Sequence, residues 1–123
     1  MTAKKLRIGN KIWRPCCYDE VAEIRENGII GSDRLRGIIP FSEIKPIPIT
    51  EDILLNCGFK KQNNGEYITI YTKTGCIDIL CQKNVYYPYN YYEDIFLGKE
   101  LKYVHELQNV VFVLTGQELE IDI

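Results

Sequence analysis

The sequence VAEIRENGII, residues 21–30, decides the fold of the first part of this chain. Its first half alternates apolar and polar side chains, as in a strand with one buried face, with one register change between Val21 and Ile24. Asn27-Gly28 follows, and this pair suits the positive φ values of a two-residue type I′ turn. The two isoleucines after the turn begin a returning strand. The sequence therefore predicts an antiparallel β-hairpin here.

Short strands separated by turns continue on both sides of the hairpin. Before it, residues 6–10 lead through the turn Gly9-Asn10 into a strand over residues 11–14. After it, residues 37–40 form another strand. Two prolines restrict residues 42–49 to an edge strand or an extended connector. Four or five short strands within about 45 residues predict a small SH3-like β-barrel lobe over residues 1–49.

Two helices are predicted in the rest of the chain. Thr50 is a good N-cap for a short helix over residues 50–57, which Gly58 ends. A longer helix over residues 103–115 is indicated by an apolar stripe at three- and four-residue steps and by Gly116 as a stop signal. The stripe consists of Leu101, Val104, Leu107, Val111 and Leu114. Leu119 and Ile121 then alternate with acidic residues, as in a closing strand.

The fold class predicted from these elements is α+β. The SH3-like lobe of residues 1–49 is followed by a second region over residues 50–123, in which antiparallel strands within residues 59–100 pack with the two helices. At 123 residues, the two regions are expected to form one continuous compact unit.

Composition and charge exclude several classes of protein. The net charge of −2 argues against strong non-specific binding to nucleic acid or to an anionic membrane, because both depend on excess Lys and Arg. No apolar stretch approaches the length of a membrane span, and the start lacks a signal-peptide pattern. Five cysteines, an odd number, suggest small buried thiols in a reducing compartment. We therefore expect a cytoplasmic protein that does not associate with membranes.

The sequence shows no catalytic or metal-binding pattern. Acid–base catalysis at neutral pH most often uses histidine, and the single histidine, His105, is better explained as a structural residue near the start of the last helix. There is no Gly-rich phosphate loop and no nucleophile elbow. Cys76 and Cys81 are five positions apart, so on a strand they point to opposite faces and cannot chelate one ion without a bulge. We predict no enzyme activity, no metal and no cofactor.

Residues 86–92 contain five tyrosines and are the most unusual part of the sequence. In an extended chain Tyr87, Tyr89 and Tyr91 share one face. They could be a packed wall of the sheet, a surface for a protein or a small ligand, or a stacking platform for single-stranded nucleic acid. The neighbouring charges give no positive field, which argues against nucleic acid. Trp13, the only tryptophan, is predicted to be a core residue.

Three segments together resemble a widespread group of small uncharacterised proteins of Bacteroidetes, found in their phages and mobile elements. These segments are LRIGN at residues 6–10, SEIKPIPIT with LLNCGF between residues 42 and 59, and YVHELQN with LTGQELEI between residues 103 and 121. The group has no established activity. The resemblance implies a bacterial or phage cytoplasm and makes an accessory or counter-defence role plausible.

We therefore expect a non-enzymatic binding protein that sequesters a nucleotide-like signal molecule or a host protein. For a nucleotide-like ligand, Tyr87, Tyr89 and Tyr91 would stack on the base, and the basic residues Arg7, Lys11 and Arg14 would bind phosphate. Such a pocket would suit a subunit interface in a homo-oligomer, because one small domain offers little cavity. The alternatives are a protein–protein adaptor without a small ligand and a weak nucleic-acid-binding module.

Overall fold

A computed structural model describes residues 6–14, 17–32, 37–63 and 67–121 of the chain. Within these ranges it shows nine strands, two α-helices and a short 3₁₀ turn at Phe41–Glu43. The elements are β1 Lys11–Trp13, β2 Tyr18–Arg25, β3 Gly28–Gly31, β4 Ile38–Pro40, α1 Glu51–Asn56, β5 Lys60–Asn63, β6 Ile68–Thr72, β7 Asp78–Gln82, β8 Val85–Asn90, β9 Ile95–Phe96 and α2 Val104–Thr115. Strands β1–β4 form one antiparallel sheet and β5–β9 another, each in chain order. The predicted α+β class is confirmed.

The chain divides into two compact units. The first consists of Met1–Pro48 and Tyr103–Asn109, and the second of Ile49–Lys102 and Val110–Ile123. The predicted boundary, between residues 49 and 50, adjoins the first break in this division. The helix α2 contributes its first half to one unit and its second half to the other.

The predicted hairpin is present as β2 and β3, and its register shifts between Val21 and Glu23, within the segment where the sequence indicated a change. The predicted type I′ turn at Asn27-Gly28 is wrong. Arg25 pairs with Gly28, so the two turn residues are Glu26 and Asn27, and Gly28 belongs to β3 without a positive φ. The reason for a glycine here is space, because a Cβ at Gly28 would lie 2.2 Å from the carbonyl oxygen of Ile39 in β4.

The first sheet buries one face around an aliphatic cluster. The cluster consists of Leu6, Ile12, Val21, Ile29, Ile39 and Ile44. In the same unit, Gln108 of α2 is 1% exposed and its side-chain amide binds the backbone beside β1. Its Oε1 accepts from Lys11 N at 2.7 Å, and its Nε2 donates to Gly9 O at 3.0 Å. The amide thus supplies a partner to one backbone group in β1 and to another in the turn before it.

The second unit contains α1 and the five-stranded sheet. As predicted, Thr50 caps α1, its hydroxyl accepting from Ile53 N at 3.3 Å, and Gly58 follows with φ +95°. On the sheet, Ile70, Leu80 and Tyr89 form a buried cluster. The predicted closing strand is wrong over the described residues 117–121, which have no strand. Leu119 and Ile121 are buried there nevertheless, so their alternation reflects burial of one side of an irregular segment.

Within the described ranges, no helix combines the length and the apolar character that crossing a membrane requires.

Candidate functional site

A cleft of about 500 Å³ lies at one end of the second sheet. In an antiparallel meander, alternate turns fall at the same end, so the β6–β7 turn and the β8–β9 turn are neighbours here. These two turns and the strand ends next to them form the walls. The lining residues are Thr72, Lys73, Thr74, Cys76, Ile77, Asp78, Tyr89, Asn90, Tyr91, Tyr92 and Leu97.

Among the described residues of the cleft one side chain is cationic, that of Lys73, and it is held in place by its surroundings. Its Nζ donates to Cys57 O at 2.6 Å and lies 6.0 Å from the centre of the Phe59 ring. An ammonium group has three N–H donors, so this hydrogen bond leaves donor capacity for an anionic group of a ligand. Thr72 and Thr74, the sequence neighbours of Lys73, also line the cleft.

Asp78 supplies a carboxylate and also connects the two turns. It is the first residue of β7 and pairs with Tyr89 in β8. Its Oδ2 accepts from the backbone N–H of Tyr91 at 2.9 Å, which fixes the start of the β8–β9 turn. A carboxylate has about four lone-pair positions. The side chain can therefore accept a further hydrogen bond from an amino or hydroxyl group in the cleft.

The three cleft tyrosines differ in exposure. Tyr89 is only 5% exposed, its hydroxyl donates to the Asp94 carboxylate, and its ring packs 5.4 Å from that of Phe96. Tyr91 is 44% exposed and Tyr92 98%. Tyr89 is thus part of the cleft wall, whereas Tyr91 and Tyr92 present rings that a ligand can contact.

Tyr87 lies beside this wall. It is half-buried against the cluster of Ile70, Leu80 and Tyr89, with its ring 5.3 Å from Phe96 in an edge-to-face arrangement. Two of the three tyrosines predicted to bind a ligand, Tyr89 and Tyr91, therefore line the cleft. The third supports it through packing.

The predicted phosphate-binding residues, Arg7, Lys11 and Arg14, all belong to the first unit. Arg7 Nε donates to Asn109 Oδ1 at 3.1 Å, and Lys11 Nζ lies 3.5 Å from the Glu20 carboxylate. Each of these two side chains has a partner inside its own unit.

Arg14 forms the tightest of these pairs. Its Nη1 lies 3.0 Å from Asp19 Oδ2, with both side chains nearly buried. Asp19 also accepts from the hydroxyl and the backbone N–H of Ser32. Breaking the Arg14–Asp19 pair to bind phosphate would leave a carboxylate with little access to water, which is costly.

A cysteine thiol is among the groups of the cleft. Cys76 lines it, but burial raises the pKa of the Cys76 thiol, so the thiol stays protonated at neutral pH. The only histidine, His105, belongs to the first unit, where it is 2% exposed and stacks on Tyr103 with ring centres 5.9 Å apart. Over the described residues, no group of three or more His, Cys, Asp or Glu side chains is placed to hold a metal ion.

Sequence reasoning missed Lys73, Asp78 and Tyr92 as site residues. Lys73 begins a turn that the sequence does indicate, Lys73-Thr74-Gly75, and Asp78 follows that turn. The signal that would have found them is topological: if residues 68–96 form a meander, that turn and the turn after Asn90 must share one end of the sheet. No family model, curated protein or solved structure matches this chain.

Proposed function

We propose that this chain is a non-enzymatic binding protein that takes up a nucleotide-like small molecule in the cleft at the end of the second sheet. The observation that carries the proposal is the combination of groups lining that single volume. The exposed tyrosines Tyr91 and Tyr92 line about 500 Å³ together with Lys73 and Asp78. This volume is within the usual range of small-molecule sites, roughly 300–1,000 Å³.

Each group has a counterpart in a nucleotide. A base can stack on Tyr91 or Tyr92, as bases do on aromatic side chains. The Asp78 carboxylate can accept a hydrogen bond from an exocyclic amino group or a ribose hydroxyl, and Lys73 can donate to a phosphate oxygen. Because Lys73 is the one cation in the described lining, we expect the cleft to prefer a ligand with a single phosphate charge, or a phosphodiester, over a triphosphate.

The biological setting is part of the proposal. The resemblance to proteins of Bacteroidetes phages and mobile elements supports a cytoplasmic accessory role, such as counter-defence by sequestering a signal molecule. A homo-oligomer would cover the open side of the cleft, which a unit of this size cannot enclose by itself. Phosphate binding by Arg7, Lys11 and Arg14 stays a prediction, and their existing partners argue against it.

For the first unit we propose an SH3-like closure of the sheet. Trp13 in β1 exchanges two backbone hydrogen bonds with Lys45, of 2.9 and 2.8 Å. The chain from Pro40 to Lys45 passes through the 3₁₀ turn and can span about 13 Å. This length allows ~2 Å for each of the three 3₁₀ residues and ~3.4 Å for each of the two extended residues after them. In a flat sheet, a segment paired with the outer edge of β1 would lie about 19 Å from β4, which is four strand spacings of ~4.8 Å. This difference supports a strongly curved, barrel-like sheet.

The test of the binding proposal is isothermal titration calorimetry with a panel of nucleoside monophosphates and cyclic mono- and dinucleotides. We expect at least one saturable ligand. Tyr92→Ala should weaken its binding by about 1–3 kcal/mol, the value of a base–tyrosine stack. The matched control is Tyr67→Ala, which removes another highly exposed tyrosine, 78% exposed, from the same unit.

Two outcomes would contradict the proposal. One is the absence of saturable heat with every member of the panel. The other is an equal effect of Tyr92→Ala and Tyr67→Ala on a ligand that does bind. Native mass spectrometry of protein purified from its own host reports the number of subunits and any ligand that copurifies, which tests the homo-oligomer at the same time.

A further inference from the structure

Three side chains form a row across the outer face of the first sheet. Tyr18 in β2 lies opposite Trp13 in β1, and Trp13 lies opposite Lys45 in the segment that follows the 3₁₀ turn. Directly opposed residues of antiparallel strands point to the same face. Ile12, the neighbour of Trp13, is 0% exposed and belongs to the core cluster, so Trp13 points away from that core.

The row borders a depression of about 250 Å³. Pro46, Ile47 and Pro48 form its other wall, and prolines have no backbone N–H to offer a ligand. The carbonyl of Ile47 already accepts from Val104 N at 2.8 Å. A ligand would therefore meet rings and methyl groups on this surface, and few backbone hydrogen-bonding groups.

Lys45 is the one charged side chain among the described residues of this depression. Its Nζ lies 5.5 Å from the centre of the Trp13 ring, within cation–π distance, which places the charge beside the aromatic surface. Other basic groups of the same strands are already paired, Arg14 with Asp19 and Lys11 with Glu20. Lys45 therefore sets the sign of charge that a ligand should carry here.

We propose that the Tyr18–Trp13–Lys45 row binds an extended peptide segment that contains proline and an acidic residue. A volume of about 250 Å³ is below the usual range for a small-molecule site but accommodates one or two side chains. Proline-rich segments are extended before binding and lose little entropy on aromatic surfaces. The acidic residue of the segment pairs with Lys45. This surface belongs to the first unit, and the inference does not rest on the nucleotide cleft.

Single-stranded nucleic acid is the other ligand that could bind a row of aromatic rings beside a cation. Such ligands need a groove with several positive charges along the backbone. One ammonium next to two neutralised basic groups does not supply this, and the whole chain carries a net charge of −2. The peptide is therefore the occupant that the charges favour.

The experiment uses the full chain, because Trp13 is its only tryptophan and reports directly on the row. The probes are synthetic peptides of Pro-Pro-Glu, Pro-Pro-Lys and Gly-Ser-Glu repeats and an oligothymidylate, each followed by tryptophan fluorescence. We expect a saturable change in tryptophan fluorescence with the Pro-Pro-Glu peptide. The two other peptides and the oligothymidylate should bind at least about tenfold more weakly.

Two variants sharpen the test. Tyr18→Ala, at a side chain already 52% exposed, should weaken Pro-Pro-Glu binding by about tenfold, whereas the control Tyr67→Ala in the other unit should leave it unchanged. Lys45→Glu should reverse the charge preference, so that Pro-Pro-Lys binds better than Pro-Pro-Glu. Four outcomes would each overturn the proposal. Two concern the wild type: Pro-Pro-Glu and Gly-Ser-Glu bind equally well, or the oligothymidylate binds more tightly than Pro-Pro-Glu. The others are that Lys45→Glu keeps the preference for Pro-Pro-Glu over Pro-Pro-Lys, or that no probe gives a saturable change in tryptophan fluorescence.

Discussion

Gly28 shows how closely two neighbouring strands approach in the first unit. It pairs with Pro40 in β4, and a Cβ built on it would lie 2.2 Å from the carbonyl oxygen of Ile39 and 2.8 Å from a side-chain carbon of Ile38. The nearest atom belongs to the backbone, so the clash can be relieved only by moving β4. We predict that Gly28→Ala lowers the free energy of unfolding by about 2–3 kcal/mol.

Urea denaturation measures this effect, and Gly98→Ala is the matched control. At Gly98 the nearest atom to an added Cβ is a side-chain carbon of Pro88 at 3.4 Å, and the φ of Gly98 is not positive. Gly98→Ala should therefore change stability by less than about 0.5 kcal/mol. If both variants unfold at the same urea concentration as the wild type, β3 and β4 are farther apart at Gly28 than a Cβ-to-oxygen distance of 2.2 Å implies.

Asp19 gives the first unit a pH-dependent stability. Burial raises the pKa of Asp19, but hydrogen bonds from Ser32, from Glu20 N and from Arg14 together outweigh it, so the pKa lies below its ordinary value of 3.8. A group whose pKa is lowered by folding stabilises the fold above its unfolded pKa, and this stabilisation is lost as pH falls through the folded pKa. We therefore predict a loss of stability below about pH 4.

The measurement is the urea midpoint at a series of pH values from neutral to strongly acidic. Asp19→Asn keeps the shape of the side chain and cannot titrate, so its midpoint should be lower at neutral pH and should fall less steeply in acid. The control is Asp52→Asn, at an exposed carboxylate in the first turn of α1. A wild-type curve parallel to that of Asp19→Asn below pH 4 would show that other carboxylates cause the acid effect.

At the scale of single residues, sequence reasoning predicted well which residues cap and end the helices. It predicted poorly which residues lie where two strands approach closely. Thr50 and Gly58 were predictable because capping depends on neighbours a few positions away. The role of Gly28 was not, because Asn27-Gly28 fits a turn locally and the contact with Ile39 depends on how a third strand pairs. Tyr89 and Tyr91 were identified as site candidates, but their difference in exposure depends on Phe96 and on the turn after Asn90.

At the scale of elements, the first half of α2 is fixed to β1 by the amide of Gln108. The side chain is 1% exposed, and it accepts a hydrogen bond from Lys11 N–H and donates one to Gly9 C=O. Gln108→Ala leaves both groups without these partners, at a cost of roughly 1–3 kcal/mol for each buried group that stays unsatisfied. We predict a loss of about 2–4 kcal/mol in the free energy of unfolding.

The control for this variant is Gln117→Ala, since Gln117 is exposed after the end of α2. Chemical denaturation of both variants under identical conditions gives the comparison. A loss smaller than about 1 kcal/mol for Gln108→Ala would mean that water replaces the amide at the backbone of β1, and that the helix is held mainly by the buried Val104 and Leu107.

The helices were predictable as elements because their signals are local and periodic. The apolar stripe gave α2 nearly to the residue, and four of its five members are buried. Leu114 is the exception, 47% exposed near the last turn, since periodicity shows which side of a helix is apolar and not how far along it the packing extends. For the same reason, the alternation at Leu119 and Ile121 predicted a strand where the chain is buried but irregular.

At the scale of the whole molecule, the sequence predicted two β regions and could not predict how α2 is shared between them. Its stripe is continuous, so no composition change marks the junction between Asn109 and Val110. The cleft could not be predicted either, because it arises from two turns that only the meander brings together. By contrast, two segments far apart in the sequence, residues 6–10 and 103–109, meet in one unit. The contacts join Arg7, Gly9 and Asn10 on one side to Gln108 and Asn109 on the other.

The sharing of α2 predicts that the two units unfold together. Trp13 fluorescence reports the first unit, and the amide NMR signals of β7 report the second. Because one continuous helix supplies residues to both units, we expect the two probes to give the same urea midpoint. Gln108→Ala should then shift both curves equally, although its hydrogen bonds lie in the first unit alone, while Gln117→Ala should shift neither. If Gln108→Ala moves the Trp13 curve and leaves the β7 signals in place, the units are independent and α2 can fray at its centre without loss of the second sheet.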